Sequence, residues 1–165
     1  MLVVATLAIA LTIGQLGVLP ERKAYAAGNI ITVIPEMLTN ESGVGDAWKL
    51  FDEQHLVGDP KAGSGGNGLT ISGQWNPEGA AYPLYAYVNL GQTYDLTDIY
   101  FLDTFNGGVV NFYSGTPGNW VPLITDSLGV FNKWRGKPAV ASTQYIRIEL
   151  TVQTAEMAEI VLYGT

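Results

Sequence analysis

Several side chains suited to gripping a polyhydroxylated ligand stand near turn-forming residues. Trp75, Tyr82 and Tyr85 lie around one loop, Asn106 falls in a turn, and Trp134, Arg135 and Lys137 precede a long alternating run. Aromatic faces stack on the C–H patches of sugars, while amides, carboxylates and arginine hydrogen-bond their hydroxyls. Packing is the competing role for every large aromatic: Trp120 is expected to be structural, and Tyr87, Tyr145 and Tyr163 to be core residues. Two acids also stand out, Asp52 in an acidic loop and Glu159 at the head of the last apolar run. A hard cation needs about six to eight oxygens from carboxylates and carbonyls, and no local motif of the EF-hand kind gathers them here. His55, the one histidine, neighbours the acidic loop; a single loop histidine more often binds neither metal nor ligand.

Catalytic chemistry finds little support. There are no cysteines, so a thiolate nucleophile and a thiolate metal site are excluded, as is a disulfide framework. Residues 27–165 contain no Gly-x-Ser-x-Gly elbow, His-Glu-x-x-His pair or Walker loop. A Ser-His-Asp triad would have to use His55, and no serine sits in a nucleophile context. A glycosidase needs two carboxyls held across a cleft, and a small sandwich offers little cleft. The expectation is a protein that binds and catalyses nothing.

The elements that would position these residues are short strands. Residues 1–13 form an apolar run of export-signal length, with a cleavage site at Ala24-Tyr25-Ala26 before Ala27. Arg22 and Lys23 follow the apolar run and no basic residue precedes it, which leaves a misplaced start or an uncleaved anchor as alternatives to a signal peptide over 1–26. Residues 27–165 are the right size for one domain. They carry only Lys49, Lys61, Lys133, Arg135, Lys137 and Arg147 against fourteen acids, so nucleic acid would be repelled. No basic cluster favours an anionic membrane, and only an uncleaved N-terminal segment would tie the chain to a bilayer.

Short apolar or alternating runs recur between Gly, Pro, Asn and Asp clusters, and none has a helical period. The strands expected are Ile30–Ile34, Leu69–Ser72, Leu84–Leu90, Asp98–Asp103, Val109–Tyr113, Gly129–Lys133, Gln144–Val152 and Ala158–Tyr163. In the seventh, Ile146, Ile148 and Leu150 share one face, and Arg147 and Glu149 the other. Asn106-Gly107-Gly108 predicts a tight hairpin. Gly115–Asn119 is a further turn, and Gly63–Gly68 a surface loop. Such spacing indicates an all-β, antiparallel sandwich or jelly roll, with a closed barrel second.

Taken in order, several pieces resemble the galactose-binding-like β-sandwich of discoidin (F5/8 type C) domains and family 32 carbohydrate-binding modules. They are Leu50 to Gln54, Trp75-Asn76-Pro77, Ala86 to Gly91 with Tyr94 to Ile99, Asn119 to Leu123, Phe131 with Trp134, Gln144 to Ile148, and Ala158 to Gly164. Two positions depart from the family pattern: Asn89 replaces the usual Asp, and Gln144 the usual Arg. The resemblance covers residues 46–164 and implies a glycan site at one loop end, formed from Trp75, Tyr82, Tyr85, Asn106, Trp134 and Arg135. It also implies a structural calcium held by Asp52, Gln54 and Glu159 with carbonyls of the 49–55 loop. The expected function is an extracellular, lectin-like binder of a glycan or polysaccharide, secreted or on the cell surface of a bacterium beside a carbohydrate-active enzyme. The alternative is a structural or adhesive module with no small ligand. Exposure of Trp75 and Trp134 together would favour binding, and burial of all four tryptophans the alternative.

Overall fold

The computed structural model describes residues 28–63 and 73–165. The N-terminal signal, nearly all of the Gly63–Gly68 loop and the expected strand Leu69–Ser72 lie outside the described residues. The strands are β1 (Asn29–Ile31), β2 (Leu38–Asn40), β3 (Leu84–Asp103), β4 (Val109–Thr116), β5 (Asn119–Ser127), β6 (Lys133–Leu150) and β7 (Met157–Gly164), with an α-helical turn, α1 (Gln54–Val57), and 3-10 turns at Pro35–Met37 and Ala47–Leu50. All pairings are antiparallel. The order is β1-β7-β3-β6-β4-β5, with β2 joined to β3. No helix among the described residues is long and apolar enough to cross a membrane.

The long strands β3 and β6 serve two layers. Residues 84–89 of β3 pair with 145–150 of β6, and β2, β4 and β5 complete that first layer. Residues 94–103 pair with 133–143 of β6 and with β7, to which β1 adds. The register shift between Asn89 and Tyr94 marks the passage from one layer to the other, and a second follows inside the second layer between Leu96 and Asp98; unpaired extra residues bend the strand. The layers meet through Leu84, Val88, Phe101, Phe112, Ile148 and Leu162, all buried. The rings of Phe101 and Phe112, one from each layer, lie 5.5 Å apart.

This architecture corrects several sequence expectations. Leu84–Leu90 and Asp98–Asp103 are one continuous strand, and β6 extends the expected Gln144–Val152 strand back to Lys133. Asn106 and Gly108 do take left-handed φ values of 82° and 79°. The strands on either side of them do not pair, however; the turn carries the chain from the second layer to the first. Gly129–Lys133 is not a strand: Asn132 has φ 54° and β6 starts only at Lys133. The hairpin partner of β4 is β5, across Pro117-Gly118. Tyr163 is buried as expected. Tyr87 and Tyr145 are half-exposed instead, since the two-residue period that buries Ala86, Val88 and Ile146 turns them outward.

The outer face of the second layer is covered. Every residue of β7 is buried. Its outward-facing Val161 and Tyr163 lie under Val57, with Tyr100 and Trp134 packed beside them. The segment is fastened there by Tyr163 Oη donating to Asp59 Oδ1 at 2.6 Å and by the Lys61–Asp98 ion pair.

Candidate functional site

Loops 73–83, 104–108, 128–132 and 151–156 meet at one end of the sandwich. A single buried carboxylate fastens two of them. Asp103, at the end of β3, accepts the backbone N–H groups of Phe105 and Asn106, each at 3.3 Å, and that of Val130 at 2.9 Å. The two loops so tied present Phe105 and Phe131, which are 48% and 65% exposed. Beside them is a chain of planar polar groups around Glu156. Its carboxylate accepts the Asn76 amide at 2.6 Å and the Gln74 amide at 2.5 Å. Tyr82 Oη donates to Asn76 Oδ1 at 2.8 Å, and Thr104 Oγ1 to Gln74 Oε1 at 3.1 Å. Burial raises the Glu156 pKa, and the amides of Asn76 and Gln74 partly offset it. Rigid, half-exposed amides and a carboxylate beside two open phenyl faces are the chemistry that holds sugar hydroxyls and C–H patches.

The structure distributes the expected ligand residues unevenly. Tyr82 joins this network, and exposed Asn106 sits on the loop that Asp103 holds. Trp75 is a core residue, only 1% exposed, and its indole N–H donates to Val44 O at 3.0 Å; a buried ring offers no face to a sugar. Trp134 packs on the covered outer face of the second layer. Arg135 belongs to an ion cluster: its Nη2 donates to buried Asp126 at 2.9 Å, and Lys137 Nζ lies 2.5 Å from the same carboxylate. Tyr85 lies on the outer face of the first layer.

Sequence reasoning missed Phe105 and Phe131 as exposed rings. Their signal was a phenylalanine within one or two residues of a left-handed asparagine, Asn106 or Asn132. Of the four tryptophans only Trp75 is buried, while Trp48, Trp120 and Trp134 are half-buried, so neither arm of the tryptophan criterion is met.

The first layer's outer face carries its own aromatic and charged group. The Arg147 guanidinium lies 4.0 Å from the Tyr85 ring centroid and 5.6 Å from that of Trp120. Its Nε donates to Glu41 at 2.5 Å. Glu149 accepts from Tyr113 Oη, from Asn111 Nδ2 at 2.9 Å and from Tyr85 Oη at 3.1 Å. Burial alone would raise its pKa, but these hydrogen bonds and Arg147 leave it lowered. Half-buried Trp120 has its ring centroid 5.8 Å from that of Tyr87.

A third cluster lies under the acidic loop. Carboxyl oxygens of Asp52, Glu53 and Glu159 come within 4.8 Å of one another. Glu159 is fully buried. Its Oε2 accepts the Glu53 N–H at 3.1 Å, and its Oε1 has no hydrogen-bond partner. Burial first, and then the charge of Asp52, push its pKa up to about 9. Asp52 is also raised, by burial and by Glu53. Gln54 turns elsewhere, accepting the Val33 N–H at 3.1 Å and donating to Ile31 O at 3.2 Å. Its amide therefore anchors the β1 segment, and Glu53, absent from the expected ligand set, joins Asp52 and Glu159 in the cluster.

Comparison with protein-family models and with curated proteins finds no match to the sequence. Solved structures do match in fold. Chitosan-binding module 1 of a chitosanase/glucanase from Paenibacillus sp. IK-5 superposes with a TM-score of 0.57 at 19% identity, covering 82% of this chain and 99% of that one. The family 32 carbohydrate-binding module of C. perfringens NanJ, solved with galactose, gives 0.57 at 17% identity, over 84% and 99%. A family 89 glycoside hydrolase from Clostridium perfringens matches over 84% of this chain and 15% of its own length, with a TM-score of 0.57 at 18% identity. The fold is thus the galactose-binding-like β-sandwich that the sequence resembles.

Proposed function

We propose that the chain is a non-catalytic carbohydrate-binding module that holds a glycan at its loop end. The supporting observation is the pairing of exposed Phe105 and Phe131 with the pre-oriented Gln74–Asn76–Glu156 network, on loops fixed by Asp103. The phenyl rings stack on the sugar, and the amides, Glu156 and Tyr82 bond its hydroxyls. The fold matches to modules of this kind are in keeping with that reading, as is the match within a glycoside hydrolase, beside which such a module would work outside a bacterial cell. Galactose and chitosan oligosaccharides are the first probes, being the ligands named with two of the fold relatives. Binding to a member of a wider glycan panel is expected; silence across plant, algal and host glycans would favour a structural or adhesive module instead.

The acidic cluster we assign to a structural calcium. The donor set fits: three carboxylates converge, and a buried oxygen of Glu159 lacks a donor, which a cation would satisfy as a hard-oxygen site. Asp52, Glu53 and Glu159 would hold it. Its charge would offset the repulsion among them and pin the acidic loop to β7.

A further inference from the structure

The first layer has a second end, away from the loops. Leu84, Val110 and Leu150 lie level at the loop end, and Asn89, Gly115 and Tyr145 at the other. Five residues of strand separate them, about 17 Å. At this far end is a cleft of about 320 Å³. Its floor is β6 at Ser142–Tyr145, where that strand leaves the first layer. One wall is Thr93, in the bulged stretch of β3, and the other is the β4–β5 hairpin at Thr116 and Asn119. Gly115 fixes the overhang of that hairpin: its φ is 124°, and a Cβ there would meet Asn119 O at 2.3 Å. Its N–H donates to Thr143 Oγ1 at 3.2 Å.

The chemistry of the lining is narrow. Fourteen acids stand in residues 27–165, yet no charged side chain lines the cleft. A cation would want carboxylates, and an anion would want arginine or lysine. An apolar ligand would want more than Val121 and one tyrosine ring. The remaining groups are hydroxyls and amides, from Thr93, Thr116, Asn119, Ser142 and Gln144. Each hydroxyl and each amide can donate and accept, which is what a neutral polyol asks for. The Gln144 amide is already oriented, its Nε2 donating to Asn89 Oδ1 at 2.9 Å. That oxygen is fixed in turn by the Gly91 N–H at 3.0 Å. These are the two positions at which the sequence departs from the family pattern, and here they form an uncharged pair. Tyr145 also lines the cleft, and its ring lies 6.2 Å from that of Tyr87. The volume lies at the small end of ligand pockets, about 300 Å³ upward, the scale of one sugar residue.

From this neutral, hydroxyl-lined cleft we infer a second glycan subsite, for one uncharged sugar residue, independent of the loop end; the inference rests on the glycan-binding reading above. The test is amide-shift mapping by NMR on the full chain, titrated with galactose, N-acetylglucosamine and cellotetraose. Amides of Gly115, Asn119, Ser142 and Gln144 should move, and Gln144→Ala should weaken that response about tenfold, as expected when one or two hydrogen bonds to the ligand are removed, without altering shifts at Phe105 or Phe131. Asn119→Trp, which fills the cleft from an exposed hairpin position, should abolish the response. Shifts at the loop end alone, at sugar concentrations that saturate it, would overturn the cleft and leave the loop-end site standing. Shifts at the cleft alone would support it and overturn the loop-end assignment. No shift at either end with any of the three sugars overturns the cleft as a site for them.

Discussion

Asp103, the last residue of β3, and Glu159, near the start of β7, are both wholly buried carboxylates, and their surroundings differ. Asp103 accepts three backbone N–H groups drawn from two loops. Glu159 accepts one and faces two further acids, with an oxygen left over. A buried charge is tolerated when hydrogen bonds or a counter-charge replace lost water. Asp103 has its replacement within the chain and works as a tie for the loop end. Glu159 does not, and requires a proton or a cation.

The largest effect should come from cutting the tie. Asp103→Ala removes three charge-assisted hydrogen bonds and strands their donors, a loss of about 3 kcal/mol or more. At this chain length that corresponds to about 10 °C in Tm. Glycan binding should fall with it, because Phe105 and Phe131 lose their common anchor. Calorimetry showing a Tm within a degree or two of wild type would mean that the loops are held by something else.

The Glu159 side of the comparison is sharpened by calcium. Chelation should lower Tm, since a ligand bound only by the folded state stabilises by about 2.7 kcal/mol at a hundredfold excess over Kd. Glu159→Gln should abolish that dependence. An identical melting curve with calcium and with chelator would remove the ion from the account. The same carboxylate also gives the fold a pH dependence. The folded-state pKa of Glu159 is raised to about 9 from an ordinary 4.5, so the folded protein binds the proton more tightly than the unfolded chain does. In chelated protein this contribution is fully present below about pH 4.5 and is lost as pH rises through 9. Thermal melts across that range should show the decline in chelator, a flatter profile in calcium, and no such dependence in Glu159→Gln.

What the sequence made legible follows from which signals are local. The alternation of Ile146, Ile148 and Leu150 with Tyr145, Arg147 and Glu149 is local, and it places each side chain on the right face. The β5 strand escaped the strand pattern because Pro122 interrupts it. The structure accommodates that proline on an edge strand, beside a register shift, where a missing N–H costs little. The Asn106 turn was legible as a turn but not as a crossover, since the partners of β3 and β4 lie far along the chain. Trp75 sits among Gly73, Gln74, Asn76 and Pro77 and looked like a loop ring; it is buried where the Val44–Gly45 segment, some thirty residues earlier, closes on its indole N–H, which no spacing reveals. Phe131 read as part of a strand for the opposite reason, because its exposure is set by Asp103, twenty-eight residues earlier.

The central claim is that the loop end, with its exposed phenylalanines, is where a glycan binds. Titration calorimetry of the full chain and of Phe131→Ala, against the glycan that the panel identifies, tests it most directly. The account predicts affinity weakened about tenfold, the worth of one phenyl ring stacked on a sugar, with Tm unchanged because the ring is exposed. Wild-type affinity in both Phe131→Ala and Phe105→Ala, with both variants folded, would contradict it.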